Sequence, residues 1–193
     1  GKAEYLIGTI ARLAPQKALH VLLQGFAQYL GRGGREAKLV IVGQGPLEQD
    51  LRRLNQQLGI AGKVIWAGFR EDIPAVLGAL DLFALTSRYE GFGLVLLEAM
   101  AAAKPVVATR VSAIPEVVVE GETAILVPPD DAGALTEALL FFQDDTQRRL
   151  FGNAGKTRAV KNFSLDAMVD RTISLYEAAL AELNPVTGTA CRR

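Results

Sequence analysis

Six short apolar runs, at residues 5–10, 39–42, 64–67, 82–85, 106–108 and 124–127, are continuous rather than alternating. Unbroken β-branched and aliphatic runs mark strands buried on both faces, as inside a parallel sheet covered by helices. Helical patterns lie between them, clearest at 19–30, 47–58 and 94–103. Strand and helix in succession predict an α/β fold with a doubly wound, Rossmann-like parallel sheet of about six strands.

The last third carries helical patterns at 132–142, 146–160 and 165–183 and no further strand, so these helices are expected to pack on a face already formed. Asp130 and Asp131 suit the start of the first, Ser164 suits the N-cap of the last, and Pro185 ends it. The expected organisation is one domain over 1–184 and a loose tail over 185–193. Half of the 193 residues are hydrophobic and 22% are charged, which excludes disorder as the main state and favours one well-filled core.

Lys plus Arg and Asp plus Glu are both 21, so no broad positive field draws in a nucleic acid, and an anionic ligand must be met by local groups. The one cysteine, Cys191, has no partner for an internal disulfide, which suits a reducing compartment. No apolar run approaches the roughly 20 residues that span a bilayer, and residues 1–8 lack the pattern of a signal peptide. A cytoplasmic protein is therefore expected. The chain begins close to its first strand, as a domain cut at a boundary would.

Ligands of open parallel sheets bind outside the carboxyl ends of the strands. After the first strand, Ala11-Arg12-Leu13-Ala14-Pro15-Gln16-Lys17 places two cations around a proline turn, and after the second, Gly43-Gln44-Gly45-Pro46 makes a flexible turn. The loop after the fourth, residues 86–93, is the most informative. Gly91 and Gly93 let main chain approach a ligand, and the helix opening at Leu94 presents free amides. Amides and dipole suit a phosphate, with Arg12 and Lys17 placed to neutralise a diphosphate. The competing reading is a plain tight turn with two solvated cations.

Glu98 is the lone carboxylate of a helix that reads as apolar on every side and hence as buried. A buried charge needs a partner, either a protein cation or the hydroxyls of a bound ribose. Glu90 stands at the mouth of the same loop, where it would face a sugar on the diphosphate or lie exposed. His20 reads as a helix residue, and one His and one Cys leave no metal-spaced cluster.

These residues carry a resemblance. EGFGLVLLEAMA followed by KPVVAT is similar to the most diagnostic stretch of the retaining group 1 glycosyltransferases of the GT-B fold, which include glycogen-synthase-like and sucrose-synthase-like enzymes. RLAPQK, VGQGP, IPEVV and LVPPDD follow in the family's order, and NFSLDAMVDRTISLYEAAL resembles its next helical segment. The matching part is the C-terminal, donor-binding half.

The resemblance implies a nucleotide-sugar donor, linked to UDP, GDP or ADP. Arg12 and Lys17 would bind its diphosphate, Glu90 would contact the transferred sugar, and Phe92, Gly93 and Leu94 would offer main chain to phosphates or sugar. Glu98 would bind ribose, Gly43 would belong to the donor-binding set, and Gly68, Phe69 and Arg70 would lie at the base. The family needs no metal or cofactor and retains anomeric configuration as it moves a hexose to a sugar, lipid or polysaccharide. Its acceptor site belongs to an N-terminal domain of similar size that this chain does not include. The chain alone is therefore expected to bind donor without transferring sugar, and any membrane association would come through that other domain.

Where the family commonly has glycine, this chain has Ala11, Ala18, Ala103 and Ser112-Ala113. An added methyl brings clash or a forbidden φ, with Ala11 and Ala113 as the positions expected to weaken donor binding. Three other readings compete. A nicotinamide-dependent oxidoreductase is opposed by Gly8-Thr9-Ile10-Ala11-Arg12-Leu13, which is not G-x-G-x-x-G. An epimerase or phosphorylase would share the diphosphate contacts, although no lysine stands out as a pyridoxal anchor. A non-catalytic domain acting only in packing or interaction is the third.

Overall fold

The structure, a computed structural model, describes residues 4–183. The expected tail, with Cys191 and Pro185, lies outside the described residues. Six strands form in chain order: β1 (Tyr5–Ile10), β2 (Ala37–Val42), β3 (Val64–Gly68), β4 (Leu82–Leu85), β5 (Val106–Thr109) and β6 (Ala124–Val127). Eight α-helices alternate with and then follow them: α1 (Leu19–Gly31), α2 (Glu48–Gln57), α3 (Ile73–Ala79), α4 (Leu94–Ala101), α5 (Ile114–Val117), α6 (Ala132–Phe141), α7 (Asp145–Phe163) and α8 (Leu165–Leu183). The sequence patterns missed α3 and α5. Both are short, and each carries a proline in its first turn that reads as a loop signal.

The strands form one sheet in the order β3-β2-β1-β4-β5-β6, and every pairing is parallel. The chain runs outward from β1 to β3, then returns to place β4 on the other side of β1. That reversal opens a crevice at the carboxyl ends of β1 and β4, where the loops on either side diverge. Against one sheet face pack α1, α2 and α6, with Leu22, Leu23, Phe26, Leu139 and Phe142 fully buried over Ile7 and Leu39. Against the other pack α4 and α5, with Leu96, Ala99, Met100, Ile114 and Val117 over Phe83, Val106 and Ala108. Both faces are covered, which is why the strand residues do not alternate in polarity.

One expectation fails in α4. Leu96, Ala99 and Met100 are buried, but Leu94, Glu98 and Ala101 are exposed. Those three are spaced four and three apart, so they share one helix face. The leucine and alanine on it lie at the surface instead of filling the core, and Glu98 is not a buried charge.

Candidate functional site

Two loops are fastened together beneath the crevice. Ala11 N donates to Val42 O (2.9 Å), Leu13 N to Gln44 O (3.0 Å), and Leu47 N to Leu13 O (3.0 Å). Gly43 donates to Gly68 O (2.7 Å), which joins the loop after β3. Gly43 has φ +131°, and a Cβ there would collide with the Ala11 carbonyl oxygen, so glycine is required for this close approach. The loops after β1, β2 and β3 thus form one main-chain shelf at the crevice.

On that shelf lies a cleft of about 590 Å³ lined by Arg12, Gly43, Phe69, Arg70 and Glu98, with Ile10, Ala11, Val42, Gln44, Ile73 and Val95 completing it. Five of the residues singled out from sequence therefore converge on one cavity. Arg12 and Glu98 are both exposed, and among the described residues neither makes a side-chain hydrogen bond or ion pair. Arg70 is held by Asp72 through Nε (2.7 Å) and Nη2 (2.6 Å), and this pairing holds the Asp72 carboxyl below its ordinary range. Phe69 is 66% exposed beside it. Ile73 and Val95 add apolar surface that motif reading overlooked; their signal was an apolar residue on the free face of a helix beginning at the crevice.

Lys17 and Glu90 do not line this cleft and meet each other instead. Lys17 ends the 3-10 turn Pro15–Lys17 and forms an ion pair with Glu90, their side chains only 17% and 8% exposed. Ser87 Oγ donates to the same carboxylate oxygen at 2.6 Å, and Glu90 N donates to Ser112 Oγ at 3.3 Å. The exposed-loop reading of Glu90 is overturned: a cation and a hydroxyl desolvate it and fix its direction. Neither Ser87 nor Ser112 was anticipated as a partner of Glu90. Ser87 is three residues from Glu90, a local spacing that signals a side-chain bond, whereas Ser112 is brought in only by the fold.

Further ties hold this loop. Arg88 N donates to Gln16 O (2.8 Å), Gln16 Nε2 donates to Tyr89 O (2.9 Å), and Thr86 Oγ1 donates to Lys17 O (3.0 Å). Arg88 Nε also grips both oxygens of Asp130 at 3.0 Å. His20 lies 3.8 Å from Asp130 in the second position of α1, a helix residue as expected. Burial and the neighbouring Arg88 lower its pKa against the pull of Asp130.

Phe92, Gly93 and Leu94 form the turn into α4. Gly93 is left-handed at φ 79°, and no side chain caps the helix. Leu96 N bonds Gly93 O, so the first amides of α4 face outward without a side-chain partner. The replaced glycines distribute their strain unexpectedly. Ala18, Ala103 and Ser112 have φ of 45°, 54° and 48°, while Ala11 and Ala113 are not left-handed. Strain thus falls on the first three, not on the two residues expected to disturb donor binding.

A family profile described as Glycosyl transferases group 1 matches residues 4–145. The chain is 33% identical over 171 residues to alpha-D-kanosaminyltransferase of Streptomyces kanamyceticus, covering 86% of this chain and 44% of that protein. It is 34% identical over 185 residues to D-inositol 3-phosphate glycosyltransferase of Corynebacterium efficiens, covering 92% and 44%. Among solved structures, Anabaena HepE in complex with UDP and glucose superposes with a TM-score of 0.82 at 29% identity, covering 91% of this chain and 49% of that one. The C-terminal domain of a group 1 glycosyl transferase from Francisella tularensis gives 0.77 at 26% identity, covering 83% and 87%. The chain spans about half the length of the curated relatives it matches. The profile match, the relatives and the parallel sheet with its crevice agree: this chain belongs to the group 1 glycosyl transferases of the GT-B fold.

Proposed function

We propose that the chain binds a nucleoside-diphosphate sugar and serves as the donor half of a retaining, metal-independent hexosyl transfer. The observation that carries this reading is the pairing of unsatisfied groups around one cleft. The open amino end of α4 and the free Arg12 suit a diphosphate, and the free Glu98 suits paired hydroxyls. HepE, the Anabaena relative seen with UDP and glucose, supports it.

In this reading Arg12 and the α4 amides hold the diphosphate, Glu98 accepts from the ribose hydroxyls, and Gly43, Phe69 and Arg70 border the base. Lys17 meets the phosphates from the far side. In the free protein its charge is already matched by Glu90, so the donor must share that cation with the carboxylate, and Glu90 then reaches the sugar hydroxyls beside it. Charge developing on the leaving diphosphate is met by two cations and the helix amides, the task a divalent ion performs elsewhere. The resemblance assigns the acceptor site to a further domain, in keeping with a chain that spans about half the length of its relatives. The chain by itself is therefore expected to bind donor and show no efficient turnover.

Thermal denaturation with UDP, GDP and ADP tests the reading. A ligand at about a hundred times its Kd adds about 2.7 kcal/mol, or roughly 5–10 °C for a domain of this size. At least one nucleotide is expected to give such a shift, and Glu98→Ala is expected to remove most of it. No shift with any of the three would leave a packing module that has lost donor binding.

A further inference from the structure

The loop that carries Glu90 is anchored unevenly. Up to Glu90 it is tied by hydrogen bonds to Gln16, Lys17, Ser112 and Asp130. From Gly91 to Gly93 such side-chain bonds stop among the described residues. Gly91 stands in open space, and Phe92 is 42% exposed. The tether in this stretch is aromatic: the Phe92 and Phe163 rings meet edge to face with centroids 6.0 Å apart and planes at 67°. Such a pair prefers this geometry because the positive ring edge faces the negative ring face.

Phe163 is itself held firmly. It is the last residue of α7, and the Arg158 guanidinium lies 5.5 Å from its centroid. Arg158 is fixed in turn, because its Nε donates to Val117 O (2.7 Å) and its Nη2 to Glu116 O (2.8 Å) at the end of α5. On the other side, Ser164 Oγ accepts from Ala167 N (3.2 Å), and Arg171 Nη1 donates to Asn162 O (3.0 Å). The α7–α8 junction is therefore a built support that presents one ring to one exposed residue. That residue immediately precedes Gly93, whose left-handed conformation aims the first amides of α4.

We propose that Phe163 is a positioning residue for the donor: by bracing Phe92 it sets the Phe92-Gly93-Leu94 turn and so the aim of the α4 amides. This rests on the donor-binding reading given above. Phe163 touches no ligand and acts through Phe92. Removing the ring releases the turn without opening the core, because Phe163 is only partly buried.

The test compares the wild-type chain with Phe163→Leu, Phe163→Tyr, Phe92→Leu and the double leucine variant. Calorimetric titration uses whichever of UDP, GDP and ADP stabilises the wild type, and amide exchange is followed at residues 93–95. Phe163→Leu is expected to weaken nucleotide binding about three- to tenfold, the range an aromatic pair supplies. Exchange of those amides should quicken with little change in melting temperature. Phe163→Tyr should restore both, and Phe92→Leu should add nothing in the Phe163→Leu background. Wild-type affinity and exchange in Phe163→Leu would overturn the proposal, as would additive losses in the double variant. If no nucleotide binds the wild type, the donor reading falls with the proposed role in donor binding. The exchange comparison then still decides whether Phe163 holds the turn.

Discussion

Lys17 and Glu90 are 73 residues apart in sequence and form an ion pair shielded on most sides. The carboxylate has two effects, stabilising the free protein and competing with a phosphate for the ammonium group. Glu90→Gln separates them. The amide keeps an acceptor for Ser87 but removes the counter-charge, so stability should fall by about 1–2 kcal/mol, the scale of a lost charge-assisted bond. Affinity for a nucleoside diphosphate should rise about three- to tenfold as Lys17 is freed, a change well within the Coulomb energy of a nearby unit charge. A fall in affinity measured by calorimetry would mean that Glu90 itself is needed to hold the nucleotide. His20 gives a second test at this scale. Burial and Arg88 lower its pKa, so the unfolded chain takes up the proton first as pH falls. The contribution is present above the ordinary histidine value and is lost below it. Between about pH 7.5 and about pH 5.5 the melting temperature of the wild type should drop more than that of His20→Gln. Parallel curves would show that the proton is shared equally by both states.

At the level of the element, α4 ends in a Schellman turn with the wrong residue in it. Lys104 N donates to Ala99 O and Ala103 N to Met100 O, both at 2.9 Å, which leaves Ala103 at φ 54° in the place glycine fills best. A left-handed alanine costs about 1–2 kcal/mol, and glycine returns about 0.4–1 kcal/mol through its freer unfolded chain. Ala103→Gly should therefore stabilise by about 0.5–1 kcal/mol, read as a higher urea midpoint. Ala18, strained to the same degree, should gain almost nothing, because its methyl is 1% exposed and burying a methyl-sized group is worth about 0.8 kcal/mol. The departures from glycine were visible in sequence, but which of them demanded positive φ was not. Strand positions were legible because burial on both faces leaves a one-dimensional trace, and β1, β4 and β6 have their expected limits. The burial of Glu98 was misread for a related reason. Apolar residues around a helix report contact with something other than water, and at Val95 that something is a cleft wall, not a core. The Lys17–Glu90 and Phe92–Phe163 contacts left no trace at all, since each joins segments about 70 residues apart and neither residue is unusual for its own segment.

For the molecule as a whole, stability resides in the two layers against the sheet, and α8 stands apart from both. Leu165, Met168, Ile173, Leu175, Tyr176 and Leu180 are each at least 49% exposed, and α8 packs chiefly against α7. Among the described residues no helix is long and apolar enough to cross a membrane, and within α8 every residue from Met168 to Glu182 is exposed. An exposed leucine contributes little to folding, whereas Leu139 in α6 is 0% exposed within the larger core. Leu139→Ala should cost about 2–5 kcal/mol, while Leu180→Ala should change stability by less than about 0.5 kcal/mol. The contrast also sets the order in which the molecule opens. α8 can unwind from its far end without exposing either core, so its amides should exchange through local fraying, and those of α1 and α6 only through global unfolding. Amide exchange across a denaturant series checks this. Protection in α8 that tracks α6 at every concentration would mean that the helix folds as one unit with the sheet.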